Sequence, residues 1–75
     1  MEETKDLKIT YKILKHIGTI SQNEKGYKKE INLISYNNRE SVIDIRTWSP
    51  VKKMCKGITF KKEELAKLKE LINSI

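Results

Sequence analysis

The sequence predicts an α+β domain: a curved four-stranded antiparallel sheet followed by one C-terminal helix. Up to about residue 60, apolar and polar residues alternate in short runs separated by turn-forming clusters; beyond it the apolar period changes to steps of three and four. The length of 75 residues allows one domain. A domain of this size buries only about 60% of the surface its unfolded chain exposes, so self-association is the expected supplement to its core.

The first strand is read in LKITYKILKHIGTI (7–20), where the odd positions Leu7, Ile9, Tyr11, Ile13 and Ile17 are apolar against polar Lys8, Thr10 and Lys12. Leu14 and Ile20 break that phase, and Gly18 between them predicts a bulge or bend. SQNEKG (21–26) is a turn, YKKEINLISY (27–36) the second strand, and NNRES (37–41) a second turn. VIDIRTWSP (42–50) alternates cleanly and stops at a proline. Its odd face, Ile43, Ile45 and Thr47, is expected to be core, leaving Asp44, Arg46 and Trp48 on the other. SPVKKMCKG (49–57) then connects to a short fourth strand, ITF (58–60).

In KKEELAKLKELINSI (61–75) the residues Leu65, Leu68, Leu71, Ile72 and Ile75 form one amphipathic stripe, with Glu63 and Glu64 in the first turn where the helix dipole favours them. Lys61 is a poor N-cap. The stripe runs to the last residue. Either the end frays, or Leu68, Leu71, Ile72 and Ile75 meet the same helix of a second subunit in a homodimer.

The net charge of +6 is unevenly placed. Residues 1–24 balance, and VKKMCKGITFKK (51–62) holds five lysines and no acid. Such a block suits a polyanion, since each lysine near a phosphate releases a condensed counterion; a solvated loop is the competing reading. No apolar h-region opens the chain (MEETKDLK), and no apolar run approaches a membrane span, so a soluble cytoplasmic protein is expected. Cys55 has no partner for a disulfide and, with the lone His16, shows no zinc spacing; it reads as a small filler and His16 as an ordinary strand residue. One histidine, one cysteine and scattered carboxylates supply no recognisable catalytic set, and there is no phosphate-cradling glycine loop, which argues against an enzyme.

KHIG (15–18), KGYKKEINLISYN (25–37), DIRTWSP (44–50) and KGITF (56–60), ahead of a terminal amphipathic helix, resemble the bacterial branch of the transcriptional coactivator positive cofactor 4 family. Tyr27 stands where bacterial relatives carry tryptophan, and Asn38 where the eukaryotic proteins carry phenylalanine. The resemblance implies a ββββα fold, a homodimer formed through helices and last strands, and binding of single-stranded DNA without a cofactor, in transcription regulation or DNA maintenance. It implies DNA contacts at Arg39, Arg46, Trp48, Lys53 and Lys56. Lys25, Tyr27, Lys28 and Lys29 join them on charge and aromatic interleaving.

Single strands expose phosphates and base faces together, so a basic groove with aromatic platforms prefers them over duplex. Arg46 and Trp48 supply one group of each kind, with Asp44 orienting Arg46 or Lys29 across the strands or lying as a plain surface carboxylate. Trp48 is expected to be the main stacking platform, with a core ring as the competing reading, and closure of an apolar edge as that for Tyr27. An RNA-binding or protein-interaction module of the transcription machinery is the alternative to a DNA-binding one.

Overall fold

The computed structural model describes residues 10–75. Four strands, β1 (Tyr11–Gln22), β2 (Lys28–Tyr36), β3 (Val42–Trp48) and β4 (Met54–Phe60), precede one helix, α1 (Lys62–Ile72). The strands form one antiparallel sheet in sequence order. This is the expected architecture; Leu7 and Ile9, read as the start of the first strand, lie outside the described residues.

The phase breaks in β1 have a single physical cause. Pairing with β2 slips between Ile13 and Lys15, between His16 and Gly18, and between Thr19 and Ser21, leaving Leu14, Ile17 and Ile20 as the extra residues. Three bulges at a three-residue spacing replace the single bend expected near Gly18, and Ile17 belongs to this set, not to the alternating one. Each bulge adds local twist, so β1 curls along β2. All three bulged residues stay about half exposed on an edge strand.

The turns follow their chemistry. Asn37 and Asn38 both adopt left-handed backbone (φ 52° and 62°), and Arg39 N–H donates to the Tyr36 carbonyl at 2.9 Å, the tight turn whose twist matches a hairpin. In the β1–β2 turn the Asn23 side chain accepts from the N–H groups of Lys25 (2.9 Å) and Tyr27 (3.0 Å), with Gly26 at φ 90°. The β3–β4 connection is shorter than its sequence suggests. Ser49 N–H donates to the Lys53 carbonyl at 3.0 Å, and Lys52, at φ 65°, donates to the Ser49 carbonyl at 2.8 Å, so β4 begins at Met54 and not at Ile58. A Cβ on Gly26 would meet Pro50 Cγ at 3.1 Å, so these two loops touch at one end of the sheet.

The two faces of the sheet reverse the expected ranking. Ile43, Ile45 and Thr47 are only half-buried, whereas Asp44 and Trp48 are buried, as are Asn32 and Ile34 of β2 on the same face. The reason is cover. The helix touches only β3 and β4 and buries none of its own residues; Leu65 and Leu68 are half-buried, whereas Leu71 and Ile72 are exposed, as is Ile75 beyond its end. The opposite face is screened by the curl of β1 and by its own long side chains. At the helix start, Lys61 lacks a capping oxygen, and Glu64 Oε1 accepts from the Lys61 N–H at 2.8 Å.

Candidate nucleic-acid interface

On the curled face, cross-strand pairing sets Lys28 opposite Trp48, Glu30 opposite Arg46, Asn32 opposite Asp44, and His16 opposite Asn32. Strand alternation therefore brings Lys28, Glu30 and Asn32 alongside Asp44, Arg46 and Trp48. Between β1 and the β3–β4 loop this face opens into a groove of about 430 Å³. Tyr11, His16, Lys28, Glu30, Trp48 and Lys52 line it.

Trp48 is only 6% exposed. The Tyr11 ring lies 5.9 Å from it, tilted by 51°, and Tyr36 lies 6.3 Å beyond Tyr11. The indole Nε1–H is buried and has no acceptor among the described residues. The tryptophan is thus both part of the packed face and part of the groove wall.

Arg46 does not project freely. Its Nε–H and Nη2–H donate to the two oxygens of Asp44, each at 2.7 Å, in a bidentate pair. Nη1–H donates to the Cys55 carbonyl at 2.8 Å, and Nη2–H reaches the Tyr36 hydroxyl at 3.1 Å. Tyr36 O–H in turn donates to Asp44 Oδ2 at 2.6 Å. Asp44 thus orients Arg46 along one strand and not Lys29 across strands, and it is no surface carboxylate. Burial and then the bond to Asp44 push the Tyr36 phenol up to about 12, while the carboxylate raises Arg46 further. Gly57 admits this arrangement: a Cβ there would fall 2.0 Å from Arg46 Cβ and 2.9 Å from its Cα.

The residues singled out in the sequence fall into separate places. Lys28 and Trp48 line the groove. Lys25 and exposed Tyr27 sit in the adjoining β1–β2 turn, and Lys53 in the β3–β4 loop that touches it. Lys29, Arg46 and Lys56 line a second, shallower depression with Ile45, Thr47 and Ile58. Arg39 is in the turn at the far end of β2, roughly 25 Å away at the rise of an extended strand. Tyr11, Lys52, His16, Glu30 and Asn32 enter the site unannounced. Only the register of β1 and the tightness of the 49–53 turn bring them there, and neither is written in local periodicity.

A curved antiparallel sheet with rings and lysines gathered at one end, completed by a single helix, defines a small sheet-based binding module. The family model described as Transcriptional Coactivator p15 (PC4) matches residues 23–71, and the chain belongs to this family. Single-stranded DNA binding and coactivator-like function are properties of the family as a whole. An uncharacterized protein of Treponema pallidum (strain Nichols) is 41% identical over 66 residues, covering 87% of this chain and 78% of the relative, in keeping with the family's bacterial branch. No helix among the described residues is long and apolar enough to cross a membrane.

Proposed function

We propose that the protein is a non-enzymatic, sequence-tolerant single-strand-binding protein of the bacterial cytoplasm and nucleoid, serving transcription regulation or DNA maintenance. The observation that supports this most is the groove in which Lys28 and Lys52 stand beside the Tyr11 and Trp48 rings. A strand laid there would set phosphates against Lys28, Lys52 and the neighbouring Lys25 and Lys53, with bases toward the rings and Tyr27. Arg46, which borders the second depression and not this groove, has one uncommitted N–H to offer there. Lys29 and Lys56 form a second track, and Arg39 at the far end of β2 a separate contact, each reached only by a strand that leaves the groove or by one shared between two subunits.

The test is a salt series on oligo-dT. Lys28→Gln and Lys52→Gln are each expected to reduce the slope of log K against log salt by about 0.7, and Lys56→Gln to leave it unchanged if the groove alone is used. An unchanged slope in both groove variants would remove the groove from the pathway. Running duplex DNA and RNA oligomers alongside separates DNA binding from RNA binding, and no binding of any of them favours the protein-interaction reading.

We also propose a homodimer, carried by Leu71, Ile72 and Ile75, which are exposed, and by the half-buried Leu68, beside the under-covered face of Ile43, Ile45 and Ile58. A second copy laid against helix and β4 would bury both together. Sedimentation is expected to show a dimer at low micromolar concentration. Replacing Leu71 and Ile72 by lysine is expected to shift it to monomer and to make thermal stability fall. A folded wild-type monomer at that concentration contradicts the assignment.

A further inference from the structure

We propose that Glu30 makes the groove discriminate among bases, favouring unpaired guanine. The inference rests on the single-strand reading above and adds a base preference to it.

A carboxylate in a groove meant for phosphates is an electrostatic liability, and Glu30 is the only acid lining this one among the described residues. It is nonetheless built in. Its side chain is 19% exposed, and Oε1 accepts from the Asn32 amide at 3.5 Å. Asn32 is fully buried, and its Oδ1 lies 2.7 Å from His16 Nδ1. An amide oxygen can only accept, so His16 Nδ1 carries the proton and donates to it. The Asn32 Nδ2–H group is thereby turned toward Glu30. The chain His16, Asn32, Glu30 fixes the carboxylate from behind while Oε2 has no partner among the described residues.

An ionised carboxylate offers acceptors only. Among the natural bases, guanine alone presents two adjacent donors on one edge, the N1–H and the N2 amino group, which pair with both oxygens of a carboxylate. Cytosine and adenine present one amino group and thymine one imino N–H. That guanine edge is occupied in a duplex and free in a single strand. The Trp48 ring in the same groove wall presents an apolar surface against which a purine turned toward Glu30 would pack, its Nε1–H being buried and out of reach of the base. Repulsion of phosphate and attraction of a donor-rich edge thus act in the same direction, turning a base and not the backbone toward Glu30.

The experiment compares three 12-mers, oligo-dT, alternating dT/dG and alternating dT/deoxyinosine, at one lithium chloride concentration that keeps guanine strands unfolded. Inosine keeps the purine ring and N1–H but lacks the N2 amino group, so it tests the contact on the unaltered protein. Wild type is expected to bind the dT/dG strand about tenfold more tightly than oligo-dT, with the inosine strand falling most of the way back. Glu30→Gln, which preserves shape, is expected to abolish the preference and to bind oligo-dT more tightly than wild type. Equal binding of all three strands by wild type, or a guanine preference undiminished in Glu30→Gln, overturns the inference and leaves the single-strand reading standing. Failure to bind any strand overturns both.

Discussion

Asp44→Ala is expected to cost about 3–5 kcal/mol of stability, because it strands the Arg46 guanidinium in a largely desolvated site. Asp44 is fully buried and accepts three short hydrogen bonds, two from Arg46 and one from Tyr36. A chain of 75 residues has a total stability of only about 4–11 kcal/mol, so the variant should be largely unfolded at ambient temperature or survive only at high concentration. The double variant Asp44→Leu/Arg46→Met is expected to lose much less, since replacing both members of a buried pair removes the desolvation cost with the attraction. Urea denaturation checks both, and a loss below about 1 kcal/mol in Asp44→Ala would contradict the buried-pair account. The wild type carries a second signature of the same cluster. The Tyr36 phenol is raised from 10.0 to about 12 in the folded state, so the neutral form is favoured by folding. Its contribution is complete below pH 10 and disappears as pH rises toward 12; Tyr36→Phe should show no such loss from this residue.

Much of this fold was legible in the sequence. Alternation located β2 and β3 to within a residue, the Asn–Asn pair marked the hairpin turn between them, and the change of period at residue 61 located the helix. The curvature of β1 was signalled by Leu14, Gly18 and Ile20, but a one-dimensional phase break cannot say that three separate slips occur, since each is defined only by its partner on β2. The polarity of β3 was misread for a related reason. Alternation separates two faces without saying which is covered, and here the side bearing Asp44 and Trp48 is the better covered one because β1 curls over it. The site suffered the same limit. Charge and aromatic spacing nominated Lys28, Trp48 and their neighbours, while Tyr11, Glu30 and Lys52 depend on register and on a left-handed residue inside a five-residue turn. Lys56 was nominated with Lys53 by the family resemblance, both within one basic run, yet once β4 begins at Met54 strand alternation sends Lys56 to the other face.

Trp48→Ala is expected to reduce stability by about 3–5 kcal/mol, the cost of emptying a large aromatic site, and this decides how its role in binding must be measured. Two readings of the ring remain distinct: a platform for a base, or a core ring that only shapes the groove wall. Stacking on one aromatic is worth about 1–3 kcal/mol per base, less than the folding cost of losing the ring, so affinity lost by partial unfolding would imitate the loss of a platform. Binding of oligo-dT should therefore be measured where the variant is still folded by circular dichroism, or corrected for its folded fraction. The platform reading then predicts a remaining affinity loss of roughly 5- to 150-fold, while the core reading predicts none. Trp48 is covered by Tyr11, 5.9 Å away, so a platform must first be uncovered. In the wild type, base stacking is accordingly expected to quench and shift the emission of this single tryptophan on saturation, and the Tyr11 ring to move aside. If emission is unchanged at saturation while binding is verified independently, and the corrected affinity of Trp48→Ala equals that of wild type, Trp48 is a core ring. The bases would then stack on Tyr11 and Tyr27 alone.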